Sequence, residues 1–358
     1  MSKVVSHQKV RILGSGLIGT SIALALSAAG VRVKMIDSDQ RRASLAQDLV
    51  GVTNGDIGND AELVIFALPT SRLAGVISDE FKLNPRATFI DIGSTKAKPL
   101  AEIEKISGMS ERFCGTHPMA GREIGGPEAA RADLFAGRPW IYTPTEATKP
   151  DVIETVLALI DLLGASAIKM SAQEHDSAVA LVSHLPQISA SLLAKQLKDA
   201  PENWLALAGQ GLRDSTRIAA SDPHLWREII GINRTQIRPL LMRLKMDLGT
   251  LINQIGDDEA VAAFISAGQA GRARIPGKHG GTARAYSYLP IVIEDKPGQL
   301  SRLFHECEDA NVNIEDLSIE HSPGQFTGLI TLALSKDDAE RLAAHLELRG
   351  WNVHLARN

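Results

Sequence analysis

A glycine-rich turn near the amino terminus constrains the fold more than any other stretch of this sequence. The apolar run 10–13 leads into Gly14, Gly16 and Gly19, which have the G-x-G-x-x-G spacing, and a helical pattern follows at once. In a dinucleotide-binding fold the first glycine permits the tight turn. The second lets the backbone approach a pyrophosphate, and the third lets helix and strand pack closely. The unpaired N–H groups at the start of the helix can then bind the anion.

The residues that follow these glycines indicate which dinucleotide the turn binds. Leu17 and Ile18 complete the turn, and the run 31–36 predicts a second strand that ends at Asp37. A carboxylate at this place accepts a hydrogen bond from a ribose 2′-hydroxyl and repels a 2′-phosphate, which favours NAD over NADP. The alternatives are a strand–turn–helix without a ligand and a secretory signal peptide. The signal peptide is rejected because the glycines interrupt its apolar stretch.

Predicted strands and helices alternate along residues 1–170, which is typical of a Rossmann-type doubly wound α/β sheet. The later strands are predicted at 62–68, 87–92, 113–116, 138–142 and 165–170. Ligands bind such sheets outside the carboxyl ends of the strands. We therefore expect Leu68, Pro69 and Ser94 to lie near the glycine turn and to bind the cofactor. His117 follows the fifth strand and is expected at the same edge.

The composition argues against several other classes of protein. The chain has 358 residues, enough for two or three domains, and its net charge of −4 gives no basic surface for nucleic acid. Its two cysteines provide neither a disulfide framework nor a zinc site. No uninterrupted apolar run reaches the ~18 residues of a membrane span. We expect a cytoplasmic protein that holds no metal and binds neither nucleic acid nor membranes.

Two changes in pattern divide the rest of the chain. Helical patterns run over 173–198, 203–219 and 223–255. They predict an all-α domain at 171–267, after the Rossmann domain. The stretch 268–285 is rich in Gly, Ala, Pro and basic residues, lacks an acid, and predicts a linker. Residues 286–358 follow the order strand, helix, strand, strand, helix, strand, which is typical of a ferredoxin-like βαββαβ module.

A series of motifs resembles one known family. The motifs are Asp91–Ser94, Gly115–Gly121 (GTHPMAG), Ser183–Gln187 (SHLPQ), Gly211–Ile218 (GLRDSTRI) and Ser221–Arg227 (SDPHLWR). This ordered set resembles the prephenate dehydrogenase family of tyrosine biosynthesis. The run 273–281 resembles the linker that joins some members to a C-terminal ACT domain, and 295–300 resembles the ligand-binding turn of that domain. The resemblance spans nearly the whole chain.

The resemblance implies an NAD(P)-dependent oxidative decarboxylation of prephenate, or of its amino counterpart arogenate. Hydride leaves the ring carbinol carbon, carbon dioxide is lost and the ring becomes aromatic. By resemblance, His117 accepts the proton of the ring hydroxyl, and Ser94 is a second hydrogen-bonding partner. Arg217 corresponds to a substrate arginine that binds a carboxylate in bidentate fashion. His184 corresponds to a histidine near the substrate side chain, and Trp226 to a residue that can come from the partner subunit.

Some features leave alternatives open. Arg122 and Glu123 follow the GTHPMAG run, where the loop approaches the substrate. The arginine favours anionic prephenate, whereas the glutamate favours the ammonium group of arogenate. The sequence indicates no partner for the pair His175 and Asp176. The alternative functions are a non-catalytic sensor of NAD and amino acids, or another dehydrogenase of similar build, such as a β-hydroxyacid dehydrogenase.

The C-terminal module predicts regulation. In ACT domains, the turn after the first strand offers backbone N–H groups to the carboxylate of an amino acid, at an interface between two copies. The expected effector is an aromatic amino acid, tyrosine first as the end product, and the alternative is a dimerisation module without a ligand. The long apolar helices predict a homodimer. The expected effector-binding residues are Asp295, Pro297, Gly298, Leu300, Asn311 and Asn313.

Overall fold

The chain folds into two compact units, Met1–Asp247 and Leu248–Asn358. The computed structural model describes residues 9–51, 57, 60–121, 125–275, 286–321 and 326–354. The first unit holds a seven-stranded sheet followed by helices, and the second unit holds a four-stranded sheet.

The large sheet confirms the predicted doubly wound α/β fold. Its strands are β1 (Lys9–Leu13), β2 (Arg32–Ile36), β3 (Leu63–Phe66), β4 (Thr88–Asp91), β5 (Phe113–Pro118), β6 (Pro139–Thr143) and β7 (Ser166–Lys169). They lie in the order β2-β1-β3-β4-β5-β6-β7, and β1 to β5 pair in parallel. The strand order reverses between β1 and β3, and a sheet of this kind binds ligands in the crevice at such a point.

Strand β6 departs from the parallel pattern that the alternation of elements predicts. It pairs antiparallel to β5, and β7 then pairs in parallel with β6. A parallel connection needs a long crossover, usually a helix. Among the described residues between β5 and β6 the structure has a 3₁₀ turn at Pro127–Ala129 and no such helix. The chain therefore returns beside β5 in the opposite direction.

Helices cover both faces of this sheet. They are α1 (Leu17–Ala28), α2 (Gln40–Val50), α3 (Thr70–Leu83), α4 (Ala97–Ile103) and α5 (Pro150–Leu162). Ile12 and Ile65 pack with α1, α2 and α5 on one face, and their neighbours Val64 and Phe66 pack with α3 and α4 on the other. Because successive strand residues face opposite sides, strands covered on both sides are apolar throughout, as β3 is.

The helical part of the first unit consists of shorter helices than its sequence pattern predicts. It contains α6 (Ala172–Val179), α7 (Leu185–Gln196), α8 (Glu202–Leu205), α9 (Gln210–Thr216), α10 (Pro223–Ile232) and α11 (Arg234–Gln254), which continues into the second unit. A π-helical turn, Ala180–His184, separates α6 from α7. Pro186 follows this turn and has no N–H to donate, which accounts for the interruption of the predicted helix 173–198. A 3₁₀ turn, Arg217–Ala220, follows α9.

Among the residues that the structure describes, one helical run has the length and composition that a membrane-spanning helix needs. This run is Ala172–Gln196, and 28% of its most apolar window is buried within the chain. A helix at the core or interface of a soluble protein passes the same test. The run carries His175, Asp176 and His184, which lie at the candidate site described below.

The second unit begins within α11 and continues with α12 (Asp258–Ala273), β8 (Ser287–Glu294), α13 (Gln299–Asp309), β9 (Asp316–His321), β10 (Thr327–Leu334), α14 (Lys336–Leu348) and β11 (Asn352–Val353). The strands form an antiparallel sheet in the order β11-β8-β10-β9. Burial alternates along β8, and Leu289 and Ile291 pack against Leu303 of α13 and Leu342 of α14. The helices therefore cover one face of this sheet.

Helix α12 overlaps the predicted linker. It begins at the cap Asp257, whose side chain accepts hydrogen bonds from the N–H groups of Glu259 and Ala260, and it runs to Ala273. Residues 268–273, predicted as the start of the linker, are therefore helical. The glycines in this stretch lower helix propensity without ending the helix, because the preceding turns continue through them.

Candidate active site

The glycine turn has the geometry that its spacing predicts. Gly14 has φ +112°, and a Cβ there would stand 2.1 Å from the carbonyl oxygen of Ala67. A Cβ at Gly19 would stand 2.2 Å from the oxygen of Gly14. Neither position can therefore carry a side chain. Gly16 differs, because a Cβ there would meet nothing within 4 Å.

The start of α1 is open in front of Gly16. Gly16 is the N-cap of α1, and no side chain caps this helix end. Its first N–H groups are consequently available to an anion, which the positive end of the helix dipole also favours. The space beside Gly16 and the uncapped helix fit the pyrophosphate of a dinucleotide.

Asp37 lies directly against this turn. Its Oδ2 accepts a hydrogen bond from the Ser15 N–H at 2.7 Å, and its Oδ1 accepts one from the Asp39 N–H at 2.9 Å. The carboxylate therefore stands at the carboxyl end of β2 beside the glycines, as the sequence predicts for a group that meets a ribose.

His117 lies at the carboxyl end of β5 and is half-buried. Its Nδ1 is 2.8 Å from Nε2 of His175, on α6. The structure gives the other nitrogen, Nε2, no hydrogen-bond partner among the described residues. Strand pairing sets Asp91 opposite Gly115, so the half-buried loop residue Ser94 follows β4 at the same edge of the sheet as His117.

Lys96 and Asp91 form a buried ion pair close to His117 in the structure. Lys96 and Asp91 are 2% and 3% exposed, and the ammonium group contacts the Asp91 carboxylate. The other carboxylate oxygen accepts a hydrogen bond from the Thr116 N–H at 3.3 Å, next to His117. A Cβ at Gly115 would lie 2.6 Å from Oγ1 of Thr143 and 3.2 Å from Cδ of Lys96, so the absence of a side chain leaves room for both neighbours.

Burial and charge act together on the titration of these groups. Burial lowers the pKa of His117 well below the usual value, and the charges of His175, Lys96 and His184 lower it further. Burial also lowers the pKa of Lys96, although the Asp91 carboxylate opposes that shift. His117 is therefore neutral over the physiological range and can accept a proton.

The structure supplies the partner of His175 and Asp176 that the sequence does not indicate. His175 is fully buried between two groups: its Nε2 meets His117, and its Nδ1 is 2.8 Å from Oδ1 of Asp176. The Asp176 carboxylate also accepts hydrogen bonds from the backbone N–H groups of Lys96, at 2.7 Å, and Ala97, at 2.9 Å. Adjacent His and Asp at the start of a helix are the signal in the sequence, but their partner lies 58 residues away.

His184 lies on the π-helical turn and is 1% exposed. The side-chain N–H₂ of Asn233 donates to Nδ1 of His184 at 3.1 Å and to the carbonyl oxygen of Asp176 at 2.8 Å. Nδ1 is thus an acceptor, and Nε2 carries the proton. Burial lowers the pKa of His184 to about 4. The sequence indicates no role for Asn233, which ties His184 to the end of α6.

The remaining predicted residues of the first unit lie in different surroundings. Trp226, on α10, packs its ring edge-on against His184 of the same chain at 5.9 Å between ring centres, so this contact needs no second subunit. Arg217 is exposed at the start of the 3₁₀ turn that packs against α7. Arg122 and Glu123 lie outside the described residues.

The predicted effector residues flank α13 in the second unit. Gly298 has φ +88° and is the N-cap of α13, and no side chain caps this helix end. Asn311 has φ +51° and follows α13, and its carbonyl oxygen accepts a hydrogen bond from Arg341. Asp295 and Pro297 are exposed at the turn after β8. Leu300 is half-buried and packs against the core of this unit, whereas Asn313 is exposed.

Comparison with known proteins relates this architecture to one family. The model "Prephenate dehydrogenase, nucleotide-binding domain" matches residues 22–169, and "Prephenate dehydrogenase, dimerization domain" matches residues 171–264. The Probable prephenate dehydrogenase NovF of Streptomyces niveus is 29% identical over 353 residues, which cover 95% of this chain and 98% of that protein. The cyclohexadienyl dehydrogenase of Zymomonas mobilis is 30% identical over 263 residues, 70% of this chain and 89% of that protein.

A solved structure is similar as well. The crystal structure of prephenate dehydrogenase from A. aeolicus in complex with hydroxyphenyl propionate and NAD+ has a TM-score of 0.67 and 28% identity, covering 75% of this chain and 98% of that chain. The two family models together cover more than half of the chain, in the order of its sheet and its helical part. On these grounds the chain belongs to the prephenate dehydrogenase family.

Proposed function

We propose that the chain is an NAD-dependent prephenate dehydrogenase, which converts prephenate into 4-hydroxyphenylpyruvate and carbon dioxide in the synthesis of tyrosine. The observation that carries the proposal is the position of His117. This neutral imidazole stands at the carboxyl end of β5, on the edge of the sheet that also holds the dinucleotide-type glycine turn. Both cysteines, Cys114 and Cys307, are free, which agrees with a reducing compartment such as the cytoplasm.

The residues at the switch point fit NAD. The uncapped N–H groups at the start of α1 would hold the pyrophosphate, and Asp37 would accept a hydrogen bond from a ribose hydroxyl. Leu17, Ile18, Leu68, Pro69 and Ser94 would line the same crevice. When bound, NAD supplies the acceptor for the hydride that leaves the ring carbon.

His117 moves the proton in this reaction. Its Nε2 takes the proton of the ring hydroxyl as the hydride departs, so the carbinol carbon becomes a carbonyl carbon. The bond to the ring carboxylate then breaks, its electron pair makes the ring aromatic and carbon dioxide leaves. The phenolate oxygen takes the proton back from His117. Ser94 would donate a hydrogen bond to the same oxygen.

Substrate binding is assigned to five residues by their positions in or next to the motifs that resemble the family. Arg217 would grip a carboxylate with two parallel hydrogen bonds. His184 offers an Nε2–H donor to the substrate side chain, and Trp226 supports its ring. Arg122 and Glu123 would favour prephenate and arogenate respectively, so arogenate dehydrogenase, which forms tyrosine directly, is the second candidate.

A spectrophotometric assay tests the proposal. Purified full-length protein is mixed with NAD and prephenate, and then with NAD and arogenate, while NADH formation is followed. Turnover with prephenate is the expected result. Turnover with arogenate alone would identify the chain as an arogenate dehydrogenase, the second candidate. NAD binding without turnover of either substrate would identify a sensor and overturn the proposal.

The cofactor preference gives a sharper prediction about Asp37. Asp37→Asn keeps an oxygen that can accept from the Ser15 N–H but removes the charge that a 2′-phosphate would meet. Like charges about 4 Å apart near a protein surface repel by roughly 4 kcal/mol at most. We therefore expect the ratio of kcat/KM for NAD to that for NADP to fall by about tenfold, which corresponds to about 1.4 kcal/mol of this repulsion. Asp48→Asn, at an exposed site on α2, is the matched control. An unchanged ratio in Asp37→Asn would rule out its role.

The helical domain supports a homodimer. The matching family model is a dimerization domain, and α7 and α11 expose large apolar side chains, among them Leu192 (49%) and Met246 (69%). Covering such surface is what a stable dimer interface does. Light scattering at micromolar concentration should give the mass of a dimer, and Met246→Glu should shift the equilibrium toward monomer. Leu49→Glu, on α2, should leave the mass unchanged. A monomeric wild-type chain would contradict this prediction.

The second unit is proposed to be an ACT-type regulatory module. Its element order is strand, helix, strand, strand, helix, strand, and the turn at Gly298 leaves the first N–H groups of α13 without a side-chain cap. The carboxylate of an aromatic amino acid, tyrosine first, would bind there, near Asp295, Pro297, Leu300, Asn311 and Asn313. A dimerisation module without a ligand is the alternative.

Tyrosine titration of the full-length enzyme tests this module. A change of about 5–150-fold in apparent affinity is ordinary for such coupling. Gly298→Val should abolish inhibition, because a branched side chain strains a residue with φ +88° and closes the turn. Gly350→Val changes another left-handed glycine of this unit, with φ +76°, and should leave inhibition intact. Equal inhibition of wild type and Gly298→Val would mean competition at the active site and would refute regulation through this turn.

A further inference from the structure

Three side chains form a continuous hydrogen-bonded series behind the site. His117 Nδ1 meets His175 Nε2 at 2.8 Å, and His175 Nδ1 meets Asp176 Oδ1 at 2.8 Å. His175 is fully buried and Asp176 is 4% exposed. The series is therefore shielded from water, and each hydrogen atom within it has to be shared between protein groups.

Asp176 determines the direction of the hydrogen bonds along the series. Its carboxylate accepts hydrogen bonds from the backbone N–H groups of Lys96 and Ala97. Burial alone would raise the pKa of Asp176, but the hydrogen bonds from His175, Ala97 and Lys96 outweigh it and lower the pKa. Asp176 is therefore an ionised acceptor. His175 must carry its proton on Nδ1 to donate to it, which leaves Nε2 of His175 as an acceptor.

The donor and acceptor roles of His175 determine those of His117. An acceptor at His175 Nε2 requires that His117 carry its proton on Nδ1. The remaining nitrogen of His117, Nε2, is then the one with a lone pair. We propose that His175 and Asp176 are positioning residues that hold His117 in the tautomer whose Nε2 can take the substrate proton, and that stabilise the imidazolium while it exists.

This inference rests on the proposed role of His117 as the base. Lys96 and His184 face His117 as well, and the positive charge of Lys96 disfavours the imidazolium. Asp91 partly offsets that charge through its ion pair with Lys96. Asp176 acts through the ring of His175 and supplies negative charge on the side away from the substrate. The arrangement thus fixes the tautomer and limits the cost of protonating the half-buried imidazole of His117.

Asp176→Asn is the decisive variant. With its N–H₂ in the place of Oδ1, the amide keeps the hydrogen bond from the Ala97 N–H, loses the one from the Lys96 N–H and donates to His175 Nδ1. That donation reverses the series, so His117 would carry its proton on Nε2 and could not accept another there. We expect kcat to fall by about 10²–10⁴-fold, the range of general-base catalysis, with KM for prephenate and NAD changed less than about threefold. Any residual activity should extend to lower pH, since losing the negative charge lowers the pKa of His117.

A pair of variants at His175 provides the conservative rescue. His175→Gln retains an oxygen that can accept from His117 Nδ1, whereas His175→Leu fills the space without an acceptor. His175→Gln should keep at least about tenfold more of kcat than His175→Leu, a difference in the range that one hydrogen bond to a charged group supplies. Ser177→Ala, an exposed position on the same helix, should match wild type. Equal kcat in the two His175 variants would show that the hydrogen bond has no role.

Nitrogen-15 NMR of histidine-labelled full-length protein separates this inference from the proposed function. The His117 signal, identified by its loss in His117→Asn, should report a proton on Nδ1 in wild type and on Nε2 in Asp176→Asn, whatever the substrate is. A wild-type proton on Nε2 would overturn the inference even if prephenate is turned over. The expected tautomers without turnover of prephenate or arogenate would instead overturn the proposed function. An Asp176→Asn variant with kcat within threefold of wild type would likewise refute the positioning role.

Discussion

Replacing His117 with asparagine should lower kcat by about 10²–10⁴-fold, because the substrate hydroxyl then has no base to take its proton. The asparagine side chain is a close stand-in for part of the ring: its N–H₂ can reach the place of Nδ1 and donate to His175 Nε2. The buried hydrogen bond is thus kept, and the only group lost is the nitrogen that faces the substrate. The affinity for NAD and the free energy of unfolding should change little.

The pH dependence gives a second measurement for the same residue. Activity requires neutral His117, and burial holds its pKa well below the usual value. The acid limb of kcat/KM, which reports groups of the free enzyme, should therefore lie below the pH of about 6.5 at which an ordinary histidine titrates. Steady-state kinetics between pH 4 and 9, with cofactor binding by fluorescence as a control, measures both effects. Near-normal turnover of His117→Asn would move the base to another residue, with His184 next.

Replacing Lys96 with methionine should destabilise the fold by about 3–5 kcal/mol, because it leaves the buried Asp91 carboxylate without its counter-ion. Both side chains are almost fully buried, and their contact joins the loop after β4 to the strand itself. Methionine fills nearly the same volume, so the loss of charge pairing dominates over the loss of packing. Denaturant unfolding, with the slope compared between variants, measures the change in free energy.

Two further variants test whether the loss of stability in Lys96→Met comes from the unpaired Asp91 carboxylate. In Asp91→Asn/Lys96→Met the unpaired carboxylate is gone, so the double variant should be less destabilised than the sum of the single variants. Lys105→Met breaks an exposed ion pair with Glu102, one helical turn away, and should cost less than about 1 kcal/mol. A loss below 1 kcal/mol in Lys96→Met would show that the buried pair contributes little to stability.

Local features of the sequence predicted a large part of this architecture. The glycine turn, Asp37 and the apolar run of β3 follow from short-range geometry: a positive φ at Gly14, a strand that ends beside the turn, and burial on both faces. The position of His117 also follows, because carboxyl ends of parallel strands share one edge. Each of these features depends on a few neighbouring residues, or on the alternation of successive strand residues between the two faces of the sheet.

Other features depend on pairings that sequence periodicity does not contain. The antiparallel direction of β6 depends on how the chain returns after β5, and α12 continues through glycines that suggested a linker. The π-helical turn before Pro186 places His184 where Asn233 can reach it, and both residues are buried for reasons that their local pattern does not show.

The sequence by itself therefore determined the dinucleotide fold, the order of the elements and the histidine at the end of β5. Only the tertiary structure decided that His175 and Asp176 stand behind that histidine, and that Lys96 is buried against Asp91. The physical reason is the distance along the chain. The end of a strand can be predicted from the residues of that strand. The hydrogen bond between His117 and His175 joins residues 58 positions apart, and it forms only when the sheet and α6 have packed together.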